Sequence, residues 1–364
     1  MKILHVIYDD LQNPWCGGGG ALRAARINQR LAAEHEITVI TGNFPGAENE
    51  TINNIRYVRI GSSCSYLLSR MSFSFLCPIV LRKYSPDIVV QDASFFSPSY
   101  ANLFVRAPHV TIVHHLMDSH ALRLVFPFGF IPYLFEKSIL KTSRNILTPS
   151  LALRGKITER YSEKTVMNIP NGVDDIYFNL VPEEENYMLF LGRIDMYMKG
   201  LDILLQAFSE INDRHVRLKI AGSGKARDKK KLKSLITDLK LDDRIDLLGR
   251  VGEDRKLELL RKAMFLVMPS RFEGWGITAV EANAAGKAVI GTLIDGLSEA
   301  VVDAETAMLV EPGNAEELKR AIEELLADKQ RRIQLGEKGR EHARQFIWDE
   351  IAAQQMAYYE AIRL

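Results

Sequence analysis

The sequence predicts an α/β protein made of two doubly wound, Rossmann-like domains. Three observations predict it. A chain of 364 residues is long for one domain and comfortable for two. Short apolar runs without polar alternation recur through both halves, as strands buried on both faces do. Most lead into a loop, often rich in glycine, and then into a helix, the order of a parallel sheet.

Residues 3–8 are the first strand, and four consecutive glycines at 17–20 precede a helix over about 21–33. Residues 37–41 supply the next strand. This βαβ opening places ligands at the carboxyl ends of the strands. The glycines either let the backbone approach a ligand or serve a flexible turn; their spacing is not a full dinucleotide fingerprint. Residues 55–60 form another strand or a hairpin arm, and 87–91, 110–113 and 145–147 continue the series. His114 and His115 follow one of these strands, where a ligand-facing side chain belongs. One of the two is expected to be functional and the other structural.

The run 124–135 is apolar, interrupted by prolines and flanked by Arg123, Lys137, Lys141 and Arg144. Two readings stand: a core helix of the first domain, or a surface for an anionic membrane or a lipid-linked substrate. A turn at 169–174 and a charged connector at 182–186 mark the domain boundary. The second series opens with a strand at 187–191, followed by Gly192 and Arg193. Its loop carries Asp195, Lys199 and Gly200 into a helix over 201–212. The strand 216–220 ends in Ala221, Gly222, Ser223 and Gly224, ahead of a basic helix start at 225–233. That basic run is a solvated face or a contact for anionic lipid. The strand 245–248 leads to Gly249, Arg250 and Val251, and a helix begins near 253.

The apolar run 264–268 reads as a buried strand stopped by Pro269. Glu273, Gly274, Trp275, Gly276 and Ile277 form the loop after it. Thr278 and Glu281 have the Thr-x-x-Glu spacing of a capping box, which starts a helix at Thr278. Residues 288–291 are a further strand, and helices over 315–327 and 329–345 precede Trp348 and a final helix.

Composition narrows the function. Hydrophobic residues at 47% and charged residues at 26% are ordinary for a globular enzyme. A net charge of +1 gives no case for nucleic acid binding. Three cysteines without metal-ligand spacing point to a reduced, cytoplasmic protein. No apolar run approaches the roughly 20 residues needed to span a bilayer, so any membrane contact is peripheral.

Two doubly wound domains with facing strand ends make a cleft, the default place for a ligand. Arg193 and Lys199 lie beyond one strand of the second domain, and Glu273, a helix N-terminus and Glu281 lie beyond another. Two cations and free N–H groups suit a diphosphate, and carboxylates suit sugar hydroxyls. No Asp-x-Asp sequence is present to hold a divalent ion. The expectation is therefore no metal, with the two cations neutralising the leaving phosphate.

With these motifs in order over nearly the whole chain, the sequence resembles the retaining, GT-B-fold glycosyltransferases of family 4. The resemblance rests on the glycines 17–20, on Val113-His114-His115, and on Ile169-Pro170-Asn171-Gly172-Val173-Asp174. It continues through Gly192-Arg193, Lys199-Gly200 and Ala221-Gly222-Ser223-Gly224. Its most specific part is Glu273-Gly274-Trp275-Gly276-Ile277-Thr278 with Glu281-Ala282-Asn283.

The resemblance implies that Arg193 and Lys199 bind the donor diphosphate, Glu273 contacts the transferred sugar and Glu281 holds the nucleotide ribose. It implies that backbone N–H groups at Gly276, Ile277 and Thr278 take phosphate oxygens. His114 would lie near the donor sugar, and Gly19 and Gly20 in a loop that closes over the phosphates. Gly222, Arg250, Val251, Gly274 and Trp275 complete the expected donor-binding set. The final helix is expected to return to the first domain, giving domains of 1–168 with 346–364 and of 169–345.

The expected activity is sugar transfer from a UDP- or GDP-linked donor to a glycan or lipid-linked acceptor, with retention, in cell-surface polysaccharide or glycolipid assembly. A non-catalytic nucleotide-sugar-binding protein and a nucleotide-sugar epimerase are the alternatives.

Overall fold

A computed structural model describes residues 1–118 and 128–363. The chain divides into two compact units, Met1–Asn171 with Trp348–Leu364, and Gly172–Ile347.

The first unit is built on an eight-stranded sheet. Its strands are β1 (Lys2–Val6), β2 (Glu36–Gly42), β3 (Glu50–Ile52), β4 (Ile55–Ile60), β5 (Ile88–Asp92), β6 (His109–Ile112), β7 (Asn145–Thr148) and β8 (Thr165–Asn168). They lie in the order β3-β4-β2-β1-β5-β6-β7-β8, and only the β3–β4 hairpin is antiparallel. The central strand β5 is buried throughout, which is why its apolar residues Ile88, Val89 and Val90 are consecutive and not alternating.

Helix Gly19–Leu31 and the last helix, Trp348–Arg363, cover one face of this sheet. Ile27, Trp348, Ile351 and Tyr359 share a core with Ile3, Ile37 and Ile88. Arg23 fastens them: its guanidinium donates to Pro170 O at 2.5 Å, Asn171 Oδ1 at 3.1 Å and Gln355 Oε1 at 2.5 Å. Burial lowers this arginine to about 10. The last helix is thus tied to the first unit by a buried cation as well as by apolar packing.

The second unit holds a six-stranded, wholly parallel sheet. Its strands are β9 (Tyr187–Leu191), β10 (Arg217–Ala221), β11 (Ile245–Gly249), β12 (Phe265–Met268), β13 (Ala288–Thr292) and β14 (Ala307–Val310), in the order β11-β10-β9-β12-β13-β14. One core lies under helices Leu201–Ser209 and Ala315–Ala327, the other under Glu253–Lys262 and Ile277–Ala284.

The strand order reverses between β1 and β5 in the first sheet and between β9 and β12 in the second. Loops at such a reversal diverge to opposite faces and leave a crevice at the carboxyl ends.

Two local expectations are corrected. The first helix begins at Gly19, so Gly19 and Gly20 belong to its first turn and not to a loop before it. The helix after β12 starts at Ile277 with Gly276 as N-cap at φ +81°, and no side chain caps it. A left-handed residue reverses the chain there, so Thr278 lies inside the first turn and Glu281 is freed from the cap.

The apolar run 124–135 falls partly outside the described residues, at 124–127. Phe128, Phe130, Ile131 and Leu134 are exposed, whereas Pro132 is buried in helix Phe130–Thr142. Among the described residues no helix is long and apolar enough to cross a membrane.

Candidate active site

The second unit's reversal point carries the strongest constellation. The loop after β9 and the loop after β12 are pulled together by their backbones. Arg271 N donates to Met198 O at 2.9 Å, and the Arg271 guanidinium makes a fork to Asp202 at 2.8 and 2.9 Å. Gly200, at φ +64°, lets these loops touch: a Cβ there would lie 1.9 Å from Pro269 O.

This closeness brings Lys199 and Glu273 into direct contact, Nζ donating to Oε1. Ser270 Oγ donates to the same carboxylate oxygen at 2.9 Å. Thr292 Oγ1 in turn donates to Ser270 O at 2.5 Å. Gly296 allows the start of helix Asp295–Ser298 to back the turn, since its Cβ would meet Glu273 O at 2.5 Å. Lys199 and Glu273 are mostly shielded, with side chains 18% and 11% exposed. A carboxylate and an ammonium held so near together at a crevice can exchange partners when a charged ligand arrives.

Arg193 is placed differently. Its side chain is 64% exposed and pairs with Asp195 at 3.8 Å. Such an exposed pair contributes little to stability, which leaves the guanidinium available to a stronger anion. Asp195 also accepts from Met198 N at 2.9 Å, shaping the loop that presents Lys199.

Backbone bonds join the neighbouring strand ends. Gly192 N donates to Ala221 O at 3.1 Å and Gly222 N to Gly249 O at 2.7 Å. A Cβ on Gly222 would lie 1.7 Å from Gly192 O, so glycine is required by close approach. Beyond β11, Arg250 is exposed, while Val251 packs partly buried on the core.

Trp275 follows Gly274 in the loop after β12. Its ring is buried and meets Phe346 edge-on at 4.9 Å, so only its backbone is left for a ligand. Past Gly274 and Gly276, the first N–H groups of helix Ile277–Ala284 have no intrahelical acceptor. Ile277 and Thr278 supply them.

Glu281 lies one turn further on and is buried. It accepts from Lys256 Nζ at 2.6 Å and from Tyr177 Oη at 3.3 Å. Tyr177 also donates to Glu253. Burial raises the Glu281 carboxyl, against the pull of Lys256, and burial likewise raises the Tyr177 phenol. The structure therefore groups Glu281 with Lys256 and Tyr177, not with Lys199. Sequence reasoning missed Lys256, Tyr177 and Ser270. Lys256 lies among the many charges of helix Glu253–Lys262, so no local signal marks it.

In the first unit, Asp92 ends β5 beside the reversal point. His5 Nε2 donates to its Oδ2 at 2.6 Å and His114 Nε2 to its Oδ1 at 2.5 Å. Asn28 Nδ2 donates to His5 Nδ1 at 2.9 Å, which completes a relay. Burial works to raise the Asp92 carboxyl, but the two imidazoles hold it below the usual carboxylate range. Gly20 lies against this histidine, its Cβ position 3.2 Å from His114 Nε2. His115 instead meets Phe95 edge-on at 5.8 Å. Asp92 and His5 were not singled out from sequence, although an acid closing an apolar strand is a usable signal.

Comparisons with known proteins bear on the family. The family described as Glycosyl transferases group 1 matches residues 174–342, and Glycosyltransferase Family 4 matches residues 17–176. A phosphatidyl-myo-inositol mannosyltransferase of Mycolicibacterium smegmatis is 30% identical over 277 residues, which cover 73% of this chain and 69% of that protein. The chain belongs to the group 1 glycosyltransferases.

This glycosyltransferase is also 28% identical, over 100% of its length and 99% of the other's, to an uncharacterised glycosyltransferase of Methanocaldococcus jannaschii. Two solved structures share the glycosyltransferase's fold. Sucrose-phosphate synthase from Thermosynechococcus elongatus matches with a TM-score of 0.86 at 22% identity, covering 100% of this chain and 99% of that one. Anabaena HepE, solved with UDP and glucose, matches at 0.80 and 18%, covering 99% and 100%. The fold is GT-B, with two Rossmann-like domains.

Proposed function

We propose that this glycosyltransferase moves a sugar from a UDP- or GDP-linked donor to a hydroxyl of a glycan or lipid-linked acceptor, with retention at the anomeric carbon and without a metal ion. The observation that carries the reading is the Lys199–Glu273 pair at the reversal point of the second sheet, beside a helix N-terminus. A nucleoside diphosphate offers Lys199 a stronger anion than one carboxylate. Drawing Nζ away leaves the Glu273 carboxylate free to accept hydrogen bonds from sugar hydroxyls.

Arg193 adds a second cation to the diphosphate, and the N–H groups of Gly276, Ile277 and Thr278 take phosphate oxygens. Glu281 is the ribose group in this reading. Gly222, Gly274, Arg250, Val251 and the Trp275 backbone belong to the same donor site. His114, Gly19 and Gly20 are carried by the resemblance alone as first-unit groups for the donor.

The bond from the anomeric carbon to the diphosphate oxygen breaks, and its electron pair leaves on the diphosphate. The acceptor oxygen bonds to the same face of that carbon, and its proton passes to the diphosphate oxygen. Lys199 and Arg193 stabilise charge that grows on the leaving group, which is the term that raises turnover.

The relative from Mycolicibacterium smegmatis is named for an inositol lipid, and HepE was solved with UDP. The first supports a lipid-linked acceptor and the second a nucleotide-sugar donor, and the proposed role is cell-surface glycan or glycolipid assembly on the cytoplasmic side of the membrane.

Two outcomes test the reading. Turnover of the donor is expected to need an added acceptor and to yield a larger glycan, whereas acceptor-free conversion of one nucleotide sugar into another indicates an epimerase. Activity is expected to persist in excess EDTA. Complete loss, restored by Mg²⁺, would overturn the metal-free scheme.

A further inference from the structure

Helix Tyr66–Leu81 buries one side only. Ser69, Phe73, Cys77 and Leu81, four residues apart, face the first unit's interior. Leu67, Met71, Phe75 and Ile79, at the same spacing on the opposite side, are 66%, 50%, 74% and 56% exposed. A surface helix ordinarily gives that outer stripe to charged residues. Here it is aliphatic and aromatic along four turns.

The apolar face continues past this helix. The Arg82 guanidinium lies 5.4 Å from the Phe104 ring on the short helix Ala101–Phe104, where Leu103 is exposed. Asn102 Nδ2 donates to Thr142 O at the end of helix Phe130–Thr142, at 2.9 Å. That helix adds exposed Phe130, Ile131 and Leu134. Right-handed crossovers from β4 to β5, β5 to β6 and β6 to β7 set all three helices on one face of the sheet.

Charge on the helices of this face is mainly positive, and the acid beside helix Tyr66–Leu81, Asp9, is paired with Arg70 at 3.8 Å. No acidic residue occurs from 51 to 86 or from 93 to 117. Arg82, Lys83, Lys137 and Lys141 are exposed along its edges. Glu136, the acid within helix Phe130–Thr142, is buried and accepts the backbone N–H groups of Met117 and Asp118 at 2.6 and 3.1 Å. A bare apolar stripe edged by cations matches an anionic lipid surface. It does not match a second copy of itself, because symmetric pairing would bring like charges together.

We propose that this face docks on an anionic bilayer with helix Tyr66–Leu81 lying in the plane of the interface. Its 16 residues extend about 24 Å at 1.5 Å per residue, short of the roughly 30 Å hydrocarbon core. Its inner side belongs to the protein core, so it lies on the membrane and does not cross it. The proposal extends the reading of a lipid-linked acceptor, on which it rests for its purpose.

The test is sedimentation of the full chain with phosphatidylcholine vesicles, with and without phosphatidylglycerol, at low and high salt. The variant is Met71→Asp/Phe75→Asp, with Leu67→Asp/Ile79→Asp as a second pair; all four positions are exposed and circular dichroism checks the fold. Wild type is expected to pellet with the anionic vesicles, less so at high salt. Each double variant is expected to partition at least about tenfold more weakly, with turnover of a water-soluble acceptor unchanged. Pelleting without any transferase turnover would overturn the proposed activity and leave the docking face standing. Wild type staying in the supernatant at low salt, or variants pelleting equally, would overturn the docking face. So would a wild-type dimer that the variants disperse, which would assign the stripe to a second copy.

Discussion

Lys199→Ala is expected to lower kcat/KM for sugar transfer by about 10²–10³-fold, the loss found when one preorganised donor to a developing anion is removed. The ammonium is shielded, bonded to Glu273 and set at the end of a loop that Asp195 shapes. Because it is positioned before any ligand binds, it needs little rearrangement as charge develops on the leaving group. The variant's fold is expected to survive, since Glu273 keeps the hydroxyl of Ser270; thermal unfolding checks this separately from product formation. Lys199→Arg keeps the charge and is expected to recover part of the rate. Near-normal kcat/KM in Lys199→Ala would remove the diphosphate assignment.

Gly200→Ala is expected to have a comparable effect by another route. At φ +64° an alanine carries the left-handed penalty of about 1–2 kcal/mol. Its Cβ would also lie 1.9 Å from Pro269 O, and relieving such overpacking costs about 1–3 kcal/mol more. At about 2–4 °C per kcal/mol for a domain of this size, Tm is expected to fall by about 4–20 °C. Moving the loop after β9 away from that after β12 separates Lys199 from Glu273, so transfer falls together with stability. Calorimetry and transfer assays on the same preparation check both. An unchanged Tm would contradict the close contact of the two loops.

Much of the fold was legible because buried parallel strands have a plain signature. The apolar runs now seen as β9 and β12 are continuous, and glycines follow β9 and β10 where loops need close approach. Strand order is a different matter. Nothing local shows that β9 lies beside β12, and that adjacency is what joins Lys199 to Glu273 across 74 residues of chain.

Motif reasoning found the two residues but not their bond. It also placed Glu281 in a helix cap, since Thr-x-x-Glu spacing cannot reveal the left-handed Gly276 that starts the helix one residue earlier. The partners of Glu281, Lys256 and Tyr177, come from distant elements and carry no sequence mark. Helix Tyr66–Leu81 shows the opposite limit. Sequence analysis assigns it no role, and only three-dimensional exposure shows that half of it is uncovered.

The central claim is that a nucleoside diphosphate competes with Glu273 for Lys199. Calorimetric titration of UDP and of GDP into wild type, Lys199→Ala and Glu273→Gln tests it most directly. One of the nucleotides is expected to bind wild type, to bind Lys199→Ala at least about tenfold more weakly, and to bind Glu273→Gln as tightly as wild type or tighter, because the competing carboxylate is gone. Affinity lost equally in both variants, or in neither, would contradict the account.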